Sequence, residues 1–197
     1  MNLTLLDRAQ LEAIVLQPPA MEAAPLVCSD NAALDYFPPP ATARQSQLRH
    51  VMAAAHELLT RIAADAVRGR SAIESPTLMK DFFRVYFAGC ERESFVVLYL
   101  DARHCVIAAE ELFVGTVTET RVYPREVVKR TLHFNAAAVC LGHCHPSSGD
   151  PSPSRADEHL TATLKAALAL IDVRVIDHVV VASFGGQCAT FAERGVL

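Results

Sequence analysis

Between Ala136 and Gly142 the chain is uninterrupted small and apolar sequence, Ala136-Ala137-Ala138-Val139-Cys140-Leu141-Gly142, and it ends on His143-Cys144-His145-Pro146. A run of that kind predicts a strand buried on both faces. Alternate strand residues share a face, so His143 and His145 project together while Cys144 points the other way. Pro146 ends the strand, and Ser147-Ser148-Gly149-Asp150-Pro151-Ser152-Pro153 is dense in turn formers with no apolar side chain, which predicts an exposed loop. Beyond it Leu160, Leu164, Ala167, Leu168 and Ile171 recur at helical spacing, with Ser154 at the N-cap position and Asp157 at N3. A strand, a turn-rich loop and a helix in this order aim the helix N-terminus back at the strand end that carries the histidines.

Each half of this pattern has an ordinary explanation. Ser154 and Asp157 alone make a capping box, with the acid favoured by the helix dipole. A lone His-x-His at a strand end is usually just two polar residues near a surface. Together and in order, His143, His145 and Asp157 are the makings of a three-ligand zinc site, and a cap can support a ligand while it caps.

The rest of the chain predicts an α/β domain. Ser75-Pro76 is a good N-cap and first-turn pair for a helix over 77–87. Strands are expected over 95–100, 105–108 and 116–122, a helix from Pro124 to about Phe134, and closing strands over 173–182 and 188–191. Before this domain, a helical stripe of Leu48, Val51, Met52, Ala55, Leu58, Leu59 and Ile62 predicts a helix over 47–66. Pro18-Pro19 and Pro38-Pro39-Pro40 mark a proline-rich linker. The expected division is therefore a helical N-terminal region, 1–74, and a catalytic domain, 75–197.

At 197 residues, with 51% apolar and 20% charged side chains, the chain can support a sizeable core. No uncharged apolar run approaches membrane-spanning length, and the first residues lack a signal-peptide pattern. Six cysteines without C-x-x-C spacing suggest reduced thiols, and the expected location is the cytoplasm. The net charge of −4 gives no electrostatic footprint for a polyanion.

From Ser75 onward the sequence resembles the RadC-like branch of the JAMM (MPN+) zinc metalloproteases. The resemblance rests on Arg92-Glu93-Ser94-Phe95-Val96-Val97-Leu98-Tyr99-Leu100-Asp101, Glu111-Leu112-Phe113-Val114-Gly115-Thr116 and Tyr123-Pro124-Arg125-Glu126-Val127-Val128. It continues through Asn135-Ala136-Ala137-Ala138, His145-Pro146-Ser147, Pro153-Ser154-Arg155-Ala156-Asp157, Asp172-Val173-Arg174-Val175-Ile176-Asp177-His178 and Phe191-Ala192-Glu193-Arg194-Gly195. It implies a mixed sheet flanked by helices, of the cytidine-deaminase-like JAB/MPN type, with a small N-terminal helical appendage. It implies that His143, His145 and Asp157 bind Zn2+ with water as fourth ligand, that Glu93 is the general base, and that the Ser154 hydroxyl lies near the reacting carbonyl. The implied reaction is hydrolysis of a peptide or isopeptide bond in a protein substrate. Three protein ligands leave an open position, where zinc brings the pKa of a bound water to about 7. Taken without the resemblance, Glu93 is one of several charges before a strand. Asp177-His178 matches an Asp-His pair of the family, and its expected role is structural or in support of a ligand histidine.

The chain departs from the family pattern in two places. Pro146 through Pro153 place eight residues between His145 and Ser154 where the family has seven, a change that loop-closure entropy tolerates. Cys144 stands where the family has asparagine, serine or threonine. Full-length relatives usually begin with a helix-hairpin-helix, but no glycine precedes Gly69 here, so the DNA-reading turn is degenerate or absent. The alternative to a hydrolase is a non-enzymatic scaffold associated with DNA repair or DNA binding.

Overall fold

A computed structural model describes residues 2–16, 42–115, 121–182 and 186–197. The chain divides into two compact units, Met1–Leu59 and Thr60–Leu197. In the first, α1 (Arg8–Leu16) begins at Asp7, whose carboxylate accepts from Gln10 N at 2.8 Å while Gln10 Oε1 accepts from Asp7 N at 2.9 Å. Thr42 and Gln45 make the same reciprocal cap for α2 (Ala43–Val67), the helix expected over 47–66. Such pairs satisfy backbone donors that the first helical turn leaves without partners. The expected proline-rich linker lies outside the described residues.

In the second unit, five strands among the described residues form one mixed sheet in the order β2-β1-β3-β4-β5. These are β1 (Ser94–Leu100), β2 (Val106–Val114), β3 (Ala138–His145), β4 (Arg174–Ala182) and β5 (Cys188–Thr190). β3 and β4 run parallel, joined through α5 (Arg155–Ala169), and the other neighbours are antiparallel. α3 (Pro76–Tyr86) precedes the sheet and α4 (Pro124–His133) leads into β3. Pro76 occupies the first turn of α3 as expected, although the Ser75 side chain makes no capping bond.

Two expectations need correction. The strand expected over 105–108 runs further, as β2 (Val106–Val114); of the strand expected over 116–122, residues 116–120 lie outside the described set and 121 and 122 have no regular structure. Glu110 and Glu111 break the apolar run, which suggested a strand ending at Ala108. At a sheet edge such charges are tolerated, and Glu110 accepts from Arg130 Nε at 2.8 Å. The second correction is at the end of β5. Phe191 opens a short helix, α6 (Phe191–Arg194), because Thr190 Oγ1 accepts from Glu193 N at 3.1 Å and caps it.

Every residue of β1 is buried because helices cover both faces of the sheet. Val96, Leu98, Ala138, Cys140, Cys144, Val179 and Val181 pack against Met79, Phe82 and Phe83 of α3. Phe95, Val97, Tyr99, Val139 and Leu141 pack on the opposite face against Val127 of α4 and Leu164 and Leu168 of α5. Gly142 is required by close approach: a Cβ there would fall 2.2 Å from Cε1 of Phe83.

Candidate metal centre

The α5 face of β3 changes character at its C-terminal end. Val139 and Leu141 belong to the apolar layer, and the next two residues of the same parity are His143 and His145. Period-2 alternation makes the histidines neighbours, and their Nε2 atoms lie 3.1 Å apart. α5 delivers the third group. Ser154 caps the helix by accepting from Asp157 N at 3.2 Å, and Asp157 Oδ2 accepts in return from Ser154 N and Ser154 Oγ, both at 2.7 Å. Oδ1 is thereby directed at His143 Nε2, 3.3 Å away, while Oδ2 lies 3.5 Å from His145 Nε2. The ligand atoms of these three residues all lie within 4.8 Å of one another.

These separations suit a tetrahedral ion. Ligand atoms 2.0–2.1 Å from a tetrahedral zinc stand about 3.3 Å from each other. The proton pattern suits it as well. Thr161 Oγ1 donates its one hydrogen to Asp157 O at 2.6 Å, so it can only accept from His178 Nδ1 at 2.7 Å. His178, fully buried and held well below its ordinary pKa by burial first and by His143 second, is neutral. Its Nε2 is therefore an acceptor, and His143 Nδ1 donates to it at 2.8 Å. His145 Nδ1 faces the Asp150 carbonyl at 3.4 Å, which only accepts. A proton on each Nδ1 leaves both Nε2 atoms turned to the same point, the arrangement a metal needs of imidazole, and a metal there would take the place of the Nε2 protons that bond Asp157.

Electrostatics in the site follow from this crowding. Burial would raise the Asp157 pKa, but hydrogen bonds with His143, His145 and Ser154 overcome it and hold the carboxyl far below the usual carboxylate range. The bond to Asp157 lifts the His145 pKa above its ordinary value; burial opposes the shift and the charge of Glu93 adds to it. That influence of Glu93 has a structural origin. Phe95 pairs with His143 across the β1–β3 ladder, so two residues back along the chain Glu93 stands at the level of His145. Its carbonyl accepts from Gly115 N at 2.7 Å and its side chain is half-buried.

The structure thus brings His143, His145 and Asp157 together, and the β1–β3 register puts the Glu93 backbone at the level of His145. Ser154 is adjacent, with its hydroxyl hydrogen committed to Asp157 Oδ2. To reach a reacting carbonyl that hydroxyl must rotate, and Ser154 N would still hold the carboxylate. His159 is exposed, and the Asp150 side chain shapes its turn by accepting from Ser152 N at 2.9 Å. Cys144 faces the α3 side, where its thiol donates to Arg92 O at 3.3 Å. Thr161 escaped the sequence reading. Its only signal was helical spacing, four residues beyond Asp157 and on the same face.

Residues 73–196 match the RadC-like JAB domain. The chain belongs to this family. It is 52% identical over 141 residues to a UPF0758 protein of Variovorax paradoxus, covering 72% of this chain and 61% of that protein. A UPF0758 protein of an Acidovorax species is 52% identical over 155 residues, 79% of this chain and 62% of its own length. One from Nitrosospira multiformis is 46% identical over 172 residues, 87% and 74% of the two chains. This RadC-like chain therefore spans about three fifths of the length of the first two relatives. Its JAB domain has the mixed, helix-flanked sheet that the resemblance implied, with N-terminal helices before it. No helix among the described residues is long and apolar enough to cross a membrane.

Proposed function

We propose that this RadC-like JAB domain is a zinc-dependent hydrolase that cleaves a peptide or isopeptide bond in a protein or peptide substrate. The observation that carries the reading is the triangle of His143 Nε2, His145 Nε2 and Asp157 Oδ1, with two of its edges at 3.1 and 3.3 Å and both Nδ1 atoms engaged elsewhere. When bound there, zinc supplies a Lewis acid that makes water a nucleophile near neutral pH. The chain's own residues do the rest. His178 and the Asp150 carbonyl hold the two imidazoles in the ligating tautomer, and the capping box fixes the Asp157 carboxylate. Glu93, at the mouth of the site, takes the proton of the attacking water and returns it to the leaving amine. Ser154, turned from Asp157, offers its hydroxyl to the developing oxyanion. The net charge of −4 favours a protein or peptide over a nucleic acid as the partner.

Metal analysis of the purified protein tests this directly. One zinc per chain is expected in the wild type and none in the His143→Ala/His145→Ala variant, with cleavage of a peptide library lost in parallel. Wild-type protein that carries no stoichiometric metal after growth in zinc-supplemented medium would sink the proposal.

A further inference from the structure

The sheet face that carries the histidines also carries a row of aromatic rings running from the metal centre to the surface. The His143 and His178 ring centroids lie 4.8 Å apart, and His178 meets Phe95 edge-on at 5.7 Å. Phe95 meets Phe113 of β2 at 6.3 Å, and Phe113 meets Tyr123 at 6.1 Å. At such spacings tilted and edge-to-face rings attract one another. Burial falls along the row: His178 and Phe95 belong to the core, Phe113 is half-buried, and Tyr123 is 52% exposed.

A β-bulge puts Phe113 on this face. Phe113 pairs with Phe95 but Glu111 pairs with Val96, which leaves Leu112 as the extra residue of β2. Leu112 and Phe113 consequently both join the apolar layer on the histidine side. Bulges re-aim side chains at sheet edges and gather beside functional sites. The end of β2 is also held at the level of Glu93, whose carbonyl accepts from Gly115 N at 2.7 Å. Tyr123 stands at the N-cap of α4, yet its side chain makes no capping bond, so helix formation does not explain an exposed aromatic there.

We propose that Phe113 and Tyr123 form a subsite for an aromatic side chain on the substrate residue next to the scissile bond, so that the substrates are peptides or protein tails with phenylalanine or tyrosine there. The identity of the bond rests on the hydrolase reading above; the choice of side chain rests on the aromatic row. Adjacent strands lie about 4.8 Å apart, which sets the Phe113 backbone about 10 Å from that of His143, with Phe95 between them. A substrate residue whose carbonyl stands at the ligand triangle therefore has the exposed end of the row within reach of its side chain. Its ring adds one more member to the row, against the half-buried Phe113 and the open face of Tyr123.

Binding of uncleavable peptides tests the subsite apart from turnover. Short fluorescein-labelled alanine peptides, with one internal amide reduced to a methylene-amine and one variable residue before or after it, are titrated onto the full chain and followed by anisotropy. Phenylalanine beside the reduced bond is expected to bind at least about 10-fold tighter than alanine in one of the two series. Tyr123→Ala should lower that preference and Tyr123→Phe should keep it, which loss of an unrelated structural contact would not produce. Equal affinity for the phenylalanine and alanine peptides in both series, no binding of either, or a preference undiminished in Tyr123→Ala overturns the proposal. A chain that prefers phenylalanine but cleaves nothing keeps the subsite and loses the hydrolase reading; one that cleaves peptides without this preference does the reverse.

Discussion

The two faces of β3 differ as sharply as the inside and outside of a protein, although both are buried. The odd-numbered residues pass from Val139 and Leu141 to His143 and His145, and the helix opposite answers with Asp157 and Thr161. The even-numbered residues are Ala138, Cys140, Gly142 and Cys144, small groups over which the aromatic side chains of α3 close. One face is a hydrogen-bonded polar network. The other is packed by shape, and nowhere more tightly than where Phe83 lies against Gly142. The contrast teaches how a strand can hold polar ligands in a core: the polar face has every donor placed, and the apolar face fixes the strand so that those donors stay in register.

Substitutions can break this division of labour, and the largest effect is expected at its mouth. Glu93→Gln should lower kcat by about 10²–10⁴ if Glu93 is the general base, with bound zinc unchanged; loss of metal together with activity would assign Glu93 to structure instead. His178→Ala or Thr161→Val should weaken zinc binding about 10–100-fold, read by competition with a chelator, because His143 loses the partner that fixes its tautomer. Gly142→Ala presses a methyl group into the Phe83 ring and should cost about 1–3 kcal/mol in urea unfolding. Zinc content of the fraction that stays folded should be retained, and if stability is unchanged while metal is lost, the two faces are not separable.

The pH dependence isolates His178. Its folded pKa lies well below the ordinary histidine value because of burial, so below about pH 6.5 the unfolded chain binds a proton that the native chain does not. Metal-free protein should therefore lose up to about 1.4 kcal/mol per pH unit through this group as the pH falls from 6.5. His178→Gln should remove that share of the slope, measured as the difference between urea midpoints at pH 7 and pH 5.5. The smallest effect is expected for Ser154→Ala, about 1 kcal/mol from the lost cap. If cleavage falls by much more than the zinc affinity does, the hydroxyl acts on substrate as well as on Asp157.

How far the sequence could be followed depended on the range of each contact. His143 and His145 share a face because strands alternate, and Asp157 returns to them because capping places N3 over the helix entrance; both are local rules. The pairing of His143 with His178 spans 35 residues and depends on a register shift between β3 and β4 after Val139. No periodicity announces such a bulge. Gly142 looked like one more small residue of an apolar run, since only the position of Phe83, delivered by a separate helix, makes it obligatory. β2 was misjudged for a related reason: its partner charge, Arg130, arrives from α4.

Asp157, Thr161, His178 and His143 form a chain of contacts that returns to its start, since Asp157 Oδ1 faces His143 Nε2. The main chain at Asp157 is therefore tied to the His143 ring through one hydroxyl and one imidazole, while the Asp157 carboxylate is held by Ser154. On the proposed zinc reading, release of the ion is expected to be limited by opening of the first turn of α5, whose capping box holds the Asp157 carboxylate. Chelator extraction should then show a rate limit independent of chelator concentration, matched by the exchange rate of the Asp157 and Glu158 amides.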